Sequence, residues 1–270
     1  MPCRKLRRER GVTLIEMVIV ISITAIIAGA VAVFIARPIE GYADATRRAE
    51  LTDIADTALR RMTRDLRTAL PNSIRTTTVG PTVYLEFLQT SGGARYRTQV
   101  DSGGGGTPLD FSAPVLTFDV IGAMPAFAAG DSIVIYNLNS SGAIANAYSG
   151  DNRATYSSSA APTITLTANK QFPFASPGSR FQVVQHAVTY ECDTGTRTLR
   201  RFWNYGILAA QPTPPVGGSN ALLATEVVAC DFSYASATAL RTGVVTLTLR
   251  VERNGELIRL FQQVHVNNVP

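Results

Sequence analysis

Residues 12–36 read VTLIEMVIVISITAIIAGAVAVFIA, 25 positions that carry a single charge, Glu16. At about 1.5 Å per residue, a helix of this length spans a bilayer core of about 30 Å. Five basic residues precede it, Arg4, Lys5, Arg7, Arg8 and Arg10, against one acid, Glu9. Basic flanks stay on the cytoplasmic side, so the reading keeps residues 1–11 in the cytoplasm and sends residues 37–270 across the membrane. A secretory signal would have a shorter apolar stretch with a small-residue cleavage site behind it. A plain signal anchor accounts for length and orientation but leaves Glu16 unexplained. A carboxylate in the middle of hydrocarbon costs about 3 kcal/mol or more unless it is paired, so its presence asks for a partner.

Working outward, Arg37-Pro38 marks the membrane exit, where proline is expected to kink or briefly break the helix. Helical periodicity resumes over residues 42–70, with Leu51, Ile54, Ala55, Ala58, Leu59, Met62, Leu66 and Leu70 at three- and four-residue spacing. Charged residues, among them Asp53, Arg60, Arg61, Arg64, Asp65 and Arg67, mostly take other faces, and Pro71-Asn72 ends the pattern. An amphipathic helix packed on a sheet is favoured over a coiled-coil stalk, because no strict seam of large residues persists.

After Pro71 the chain turns to short strand-like runs separated by Gly, Pro, Ser and Asn. Strands are expected at 82–89, 96–100, 115–121, 132–137, 163–167, 180–192, 198–203, 226–234, 244–253 and 256–267. Asn254-Gly255 is a two-residue hairpin signal, and Asp193-Thr194-Gly195 reads as a second turn. Residues 101–108 (DSGGGGTP) and 211–219 (QPTPPVGGS) read as loops. The fold class is therefore α+β: a long N-terminal helix and a β-rich, mostly antiparallel C-terminal domain, with an inserted subregion between about 101 and 180.

Composition supports a real core, with 46% hydrophobic and 17% charged residues. The net charge is +5, but residues 1–11 hold +4 of it, leaving about +1 for everything downstream. No nucleic-acid partner is expected from so neutral a remainder. Cys3 lies in the basic segment, while Cys192 and Cys230 lie far downstream. Two cysteines in an exported domain suggest one disulfide, with two separate buried thiols as the alternative.

The segment Gly11-Val12-Thr13-Leu14-Ile15-Glu16-Met17, set between a basic leader and an apolar run, resembles the processing motif of type IV prepilins and type II secretion pseudopilins. In that family a membrane aspartyl peptidase cuts after the glycine and methylates the new N-terminus. The resemblance assigns those roles to Gly11 and Val12, with Val12 standing where phenylalanine is usual. It places Glu16 at the position of the family's glutamate, the fifth mature position. Cutting after Gly11 would free an α-amine on Val12, and Glu16 of one subunit would pair with the amine of a neighbour in the assembled bundle. The implied organisation is a cleaved basic leader at 1–11, a transmembrane and assembly helix at 12–36, its amphipathic extension at 37–71 and a β-rich periplasmic domain at 72–270.

Further matches narrow the resemblance. Arg37-Pro38-Ile39 with Tyr42, Arg48-Ala49-Glu50-Leu51, Leu70-Pro71-Asn72-Ser73, the Tyr190–Cys192 to Cys230 arrangement and the end His265-Val266-Asn267-Asn268-Val269-Pro270 resemble the MshO family. These are minor pilin-like biogenesis proteins of mannose-sensitive haemagglutinin (MSHA) pili. The resemblance covers both ends and is thin over about 90–180. It implies a low-copy subunit that initiates or caps a pilus in the bacterial inner membrane. The implied partners are the prepilin peptidase and other minor and major pilin-like subunits. A J-like minor pseudopilin of type II secretion, a PilW-like minor pilin and a tip-displayed adhesin remain as alternatives.

No catalytic constellation, cofactor or metal site is expected. There is no G-x-S-x-G elbow and no CxxC or HxxxH spacing; His186 and His265 stand alone in strand-like runs. Asp101, Asp110, Asp131 and Asp151 lie near loops without the DxDxDG spacing of a calcium site. Trp203 and Tyr205 read as packing residues rather than a ligand-binding pair.

Overall fold

The computed structural model describes residues 11–142, 144–235 and 242–269, and at 35–40 it describes the backbone alone. The chain divides into two compact units, residues 1–50 and 51–270. A single helix, α1 (Leu14–Leu66), contributes to both. Its backbone continues through Pro38, so the expected break is not there. Within the first unit every described side chain from Val12 to Phe34 is exposed.

The second unit begins with the amphipathic end of α1. Leu51, Ala55, Ala58, Leu59, Met62 and Leu66 are buried, as their spacing predicts, and Arg60, Arg61, Arg64 and Arg67 are exposed. The helix ends at Leu66, earlier than Pro71-Asn72 suggests, because residues 68–70 join a strand edge: Leu70 N–H donates to the Leu88 carbonyl at 2.8 Å and Thr90 N–H to the Thr68 carbonyl at 2.8 Å.

Among the described residues twelve strands follow: β1 (Arg75–Val79), β2 (Thr82–Tyr96), β3 (Val115–Ile121), β4 (Ser132–Ile135), β5 (Arg153–Ala160), β6 (Thr163–Lys170), β7 (Arg180–Asp193), β8 (Thr198–Trp203), β9 (Ser219–Ala224), β10 (Val227–Ala235), β11 (Thr242–Arg253) and β12 (Glu256–Asn267). All pairings are antiparallel. β2 and β7 pair along their whole length, from Thr82↔Asp193 to Arg95↔Arg180. One half of this pair is flanked by β1 and by β8–β9 and makes an open sheet. The other half is closed by β3, β6, β5 and β4 into a ring of six strands. The expected insertion near 101–180 is this ring. Its interior is filled by Tyr96, Phe118, Ile133, Ile164, Phe172 and Phe181 among others, with Phe118 and Phe181 packed edge to face at 5.7 Å.

β10–β12 form a separate three-stranded sheet. The Asn254-Gly255 turn joining β11 and β12 has both residues at positive φ, 52° and 84°, as a tight primed hairpin turn requires. The main core joins three layers: the apolar face of residues 51–66, Leu85, Phe87, Val188 and Tyr190 from the open sheet, and Val245, Leu247, Leu249 and Val264 from the three-stranded sheet. Cys192 on β7 and Cys230 on β10 form a disulfide between the two sheets, with Cα atoms 6.3 Å apart. Of the two readings left open by sequence, the bridge is the one observed.

Strand expectations at 115–121, 198–203 and 256–267 match their elements, but three strands were not expected: β1, β5 and β9. The run expected at 96–100 is absent as a separate strand, because β2 continues without interruption through Ser91-Gly92-Gly93 to Tyr96. Two β-bulges, at Gln89–Thr90 and Thr90–Gly92, accommodate this passage.

Candidate functional site

The N-terminal motif opens α1. Gly11, Val12 and Thr13 precede the helix and are exposed, and Leu14 is its first residue. The Glu16 N–H donates to Thr13 Oγ1 at 3.3 Å, and the Met17 N–H to the Thr13 carbonyl at 3.2 Å. Thr13 is therefore the N-cap, satisfying an amide that the first turn leaves without an intrahelical partner. The sequence reading passed over this role, although Thr13-Leu14-Ile15-Glu16 has the T-x-x-E spacing of a capping box. Glu16 lies exposed in the first turn, where the positive end of the helix dipole favours a carboxylate.

The helix that follows is, among the described residues, the one long and apolar enough to cross a membrane. Leu14–Phe34 has 21 residues, a mean hydropathy of 2.7 and no buried share. Such a surface has no place in water, and the span matches the hydrocarbon thickness of a bilayer. It is consistent with single-pass membrane anchoring. Arg4, Lys5, Arg7, Arg8 and Arg10, on which the expected orientation rests, and Cys3 lie outside the described residues.

Two buried polar clusters hold the second unit together. In the first, Asp65 on α1 accepts from Arg201 Nε on β8 at 2.7 Å and from the Tyr190 hydroxyl on β7 at 2.8 Å. Burial, with the Asp65 charge beside it, pushes the Tyr190 hydroxyl far above its ordinary range. Arg201 also lies over the Trp203 ring at 4.8 Å. Sequence reasoning put Asp65 with the solvated charges; it is in fact buried on the apolar face, and its cationic partner lies 136 residues away.

In the second cluster Glu86, fully buried on β2, takes Arg75 at 3.0 Å, whose guanidinium covers the Tyr148 ring at 3.6 Å. Burial outweighs the arginine and pushes the Glu86 carboxyl up to about 7. Arg75 forms part of a cleft of about 630 Å³ with Thr77, Ser140, Asn146, Gln211 and Tyr234.

The remaining sequence candidates fall in structural roles. His186 is half-buried on β7, its ring pushed toward the neutral form by burial and by Arg201. His265 is exposed on β12, and the two histidines lie on different sheets. The four loop aspartates each bond their own loop: Asp101 with the Gly103 and Gly105 amides, Asp110 with Ser112, Asp131 with the Ala128 amide, and Asp151 with the Ala145 and Asn146 amides. Among the described residues no cluster of three metal-ligating side chains forms. Trp203 packs against the main core, and the Tyr205 hydroxyl meets Thr189 Oγ1 at 2.6 Å.

Residues 6–32 match the family model of the prokaryotic N-terminal methylation motif. The match brackets Gly11, Val12, Thr13 and Glu16 and runs through most of the exposed apolar helix. It supports a type IV pilin-like subunit, a class of structural rather than catalytic proteins, and implies processing by a prepilin peptidase. No curated protein and no solved structure matches the chain.

Proposed function

We propose that this chain is a minor pilin-like subunit of a type IV pilus of the MSHA type, acting in initiation of the filament or at its tip. The observation that carries the reading is the methylation motif at residues 6–32 opening directly into an apolar helix with no buried surface. The prepilin peptidase cuts after Gly11 and methylates the amine of Val12. The helix then holds the subunit in the inner membrane, with the β-rich part on the periplasmic side. In the assembled bundle Glu16 pairs with the terminal amine of an adjacent subunit; a charge in hydrocarbon is tolerated when paired, so the carboxylate favours assembly over the lone subunit. The resemblance at residues 37–39, 42, 48–51, 70–73 and 265–270, with the Tyr190–Cys192 to Cys230 arrangement, supports the MSHA assignment over a type II secretion pseudopilin.

Mass analysis of the N-terminus of the natural product tests the core of this reading. A methylated Val12 is expected, and recovery of the chain with residues 1–11 attached overturns it. Glu16→Ala is expected to remain in the membrane yet be lost from sheared pili; undiminished incorporation would sink the pairing role.

A further inference from the structure

We propose that the outer face of the six-stranded ring binds a phosphate-class oxyanion between Arg95 and Arg180, beside Gly93 and the Gln182 side chain. The register of β2 and β7 sets Arg95 directly opposite Arg180. Their neighbours Tyr96 and Phe181 are buried in the ring core, whereas both arginines are exposed, so the two guanidinium groups share the outer face. Residues opposite each other in an antiparallel pair have Cβ atoms about 5 Å apart, and like charges so placed repel.

The usual remedy is a nearby carboxylate. Two residues further along, Arg97 has one: its Nε lies 3.5 Å from Asp119 Oδ2. Among the described residues no carboxylate stands within ion-pair distance of Arg95 or Arg180. A cleft of about 390 Å³ opens instead, lined by Gly93, Ala94, Arg95, Arg180, Phe181 and Gln182. Gly93 sits opposite Gln182, and a Cβ there would fall 2.6 Å from both the Phe181 carbonyl and Gln182 Oε1. No side chain fits at Gly93 because the Gln182 side chain already lies across it, and this close packing sets the Gln182 amide into the lining of the cleft.

Two guanidinium forks with one side-chain amide beside them suit a dianion. Each arginine presents planar paired donors to oxygen, and one dianion answers both charges at once, turning a repulsive pair into two charge-assisted contacts. The shared chemistry is the phosphate group, either free or as a lipid headgroup.

The test uses the full chain in a zwitterionic detergent, titrated with inorganic phosphate against chloride at matched ionic strength, and follows the arginine Nε–H and the Gly93 and Gln182 amide resonances together with the thermal midpoint. Saturable shifts at these groups and a raised midpoint are expected. Arg95→Gln and Arg180→Gln are each expected to weaken phosphate binding about tenfold or more. Without phosphate both variants should melt no lower than the parent, since each removes a repulsion; a purely structural role for either arginine would lower the midpoint. Arg259→Gln, which breaks a second facing arginine pair, Arg250↔Arg259, is expected to leave the phosphate response unchanged. Titration of the detergent-solubilised chain with short-chain phosphatidylglycerol, against short-chain phosphatidylcholine, separates the sources. Shifts at these groups that need phosphatidylglycerol, exceed those with inorganic phosphate and are lost in the double variant assign the headgroup. Shifts with inorganic phosphate that phosphatidylglycerol does not reproduce assign a free oxyanion. Absence of saturable shifts, or equal shifts in the double variant, overturns the proposal.

Discussion

Replacing Asp65 with alanine takes away an acceptor shared by three donors, and the structure indicates how unequal they are. Arg61 approaches at 3.2 Å, but its side chain is 45% exposed, so its loss costs under about 1 kcal/mol. The Tyr190 hydroxyl, buried and 2.8 Å away, loses its partner at a cost of about 1 kcal/mol. Arg201 dominates, because its side chain is only 8% exposed and it remains cationic after Asp65 is gone. It keeps Gln89 Oε1 at 3.2 Å and the Trp203 ring, but neither supplies a negative charge. An ion left unpaired in such a place costs about 3–5 kcal/mol, a large share of the stability of an ordinary domain. Asp65→Ala is therefore expected to lower the unfolding free energy by about 4 kcal/mol. Pairing it with Arg201→Met should recover most of this, leaving a loss of about 1–2 kcal/mol, because no buried charge then stands alone. Urea unfolding of the detergent-solubilised chain, followed by fluorescence of the single tryptophan, Trp203, measures both. A loss below about 1 kcal/mol for Asp65→Ala, or a double variant no more stable than the single one, would refute the reasoning.

Two further outcomes follow from the second unit. Opening the Cys192–Cys230 bridge, which spans 38 residues of sequence, is expected to cost about 4 kcal/mol in the chain-entropy description, read as a lower urea midpoint in reductant or in Cys230→Ser. Glu86 should give stability an acid-favouring slope. Its folded value of about 7 exceeds its ordinary 4.5, so the folded protein keeps a proton that the unfolded chain has released. The contribution is full below about 4.5 and is lost as pH rises to about 7, amounting to a few kcal/mol, roughly 1.4 for each unit of difference. His186, pushed down by burial, gives the opposite slope below its ordinary 6.5, so the quantity to measure is the difference between the parent and Glu86→Gln across pH 4.5 to 8. No difference in slope would discard the assignment.

The apolar helix was readable because membrane and core faces leave periodic or unbroken hydrophobic runs. Leu51, Ala55, Leu59, Met62 and Leu66 announce their burial by spacing alone. The three unexpected strands give no such signal. β5 (RATYSSSA) is exposed over its second half and shows no apolar alternation, while β1 is a short edge of mostly threonine. β9 begins at the end of a Pro- and Gly-rich stretch that reads as loop. The closure of the ring was equally hidden, since it depends on pairings such as Arg95↔Ile121 between segments far apart in sequence. At the N-terminus the situation is reversed: the motif itself stands out in the sequence, as the family-model match over residues 6–32 bears out, and the geometry added the capping role of Thr13.

By chain path the ring is a detour, since the strands leave at Arg95 and return at the facing Arg180. Its side chains nevertheless grip what lies just past the helix: Asn137 Nδ2 donates to the Pro71 carbonyl at 2.7 Å, and the Tyr148 hydroxyl to the Ser73 carbonyl at 2.9 Å. Val134, Ala147 and Tyr148 also roof over Leu70, Leu88 and Ala187. Excising the detour to make a minimal domain would thus strip the lid from an apolar floor, trading a shorter gene product for a sticky one.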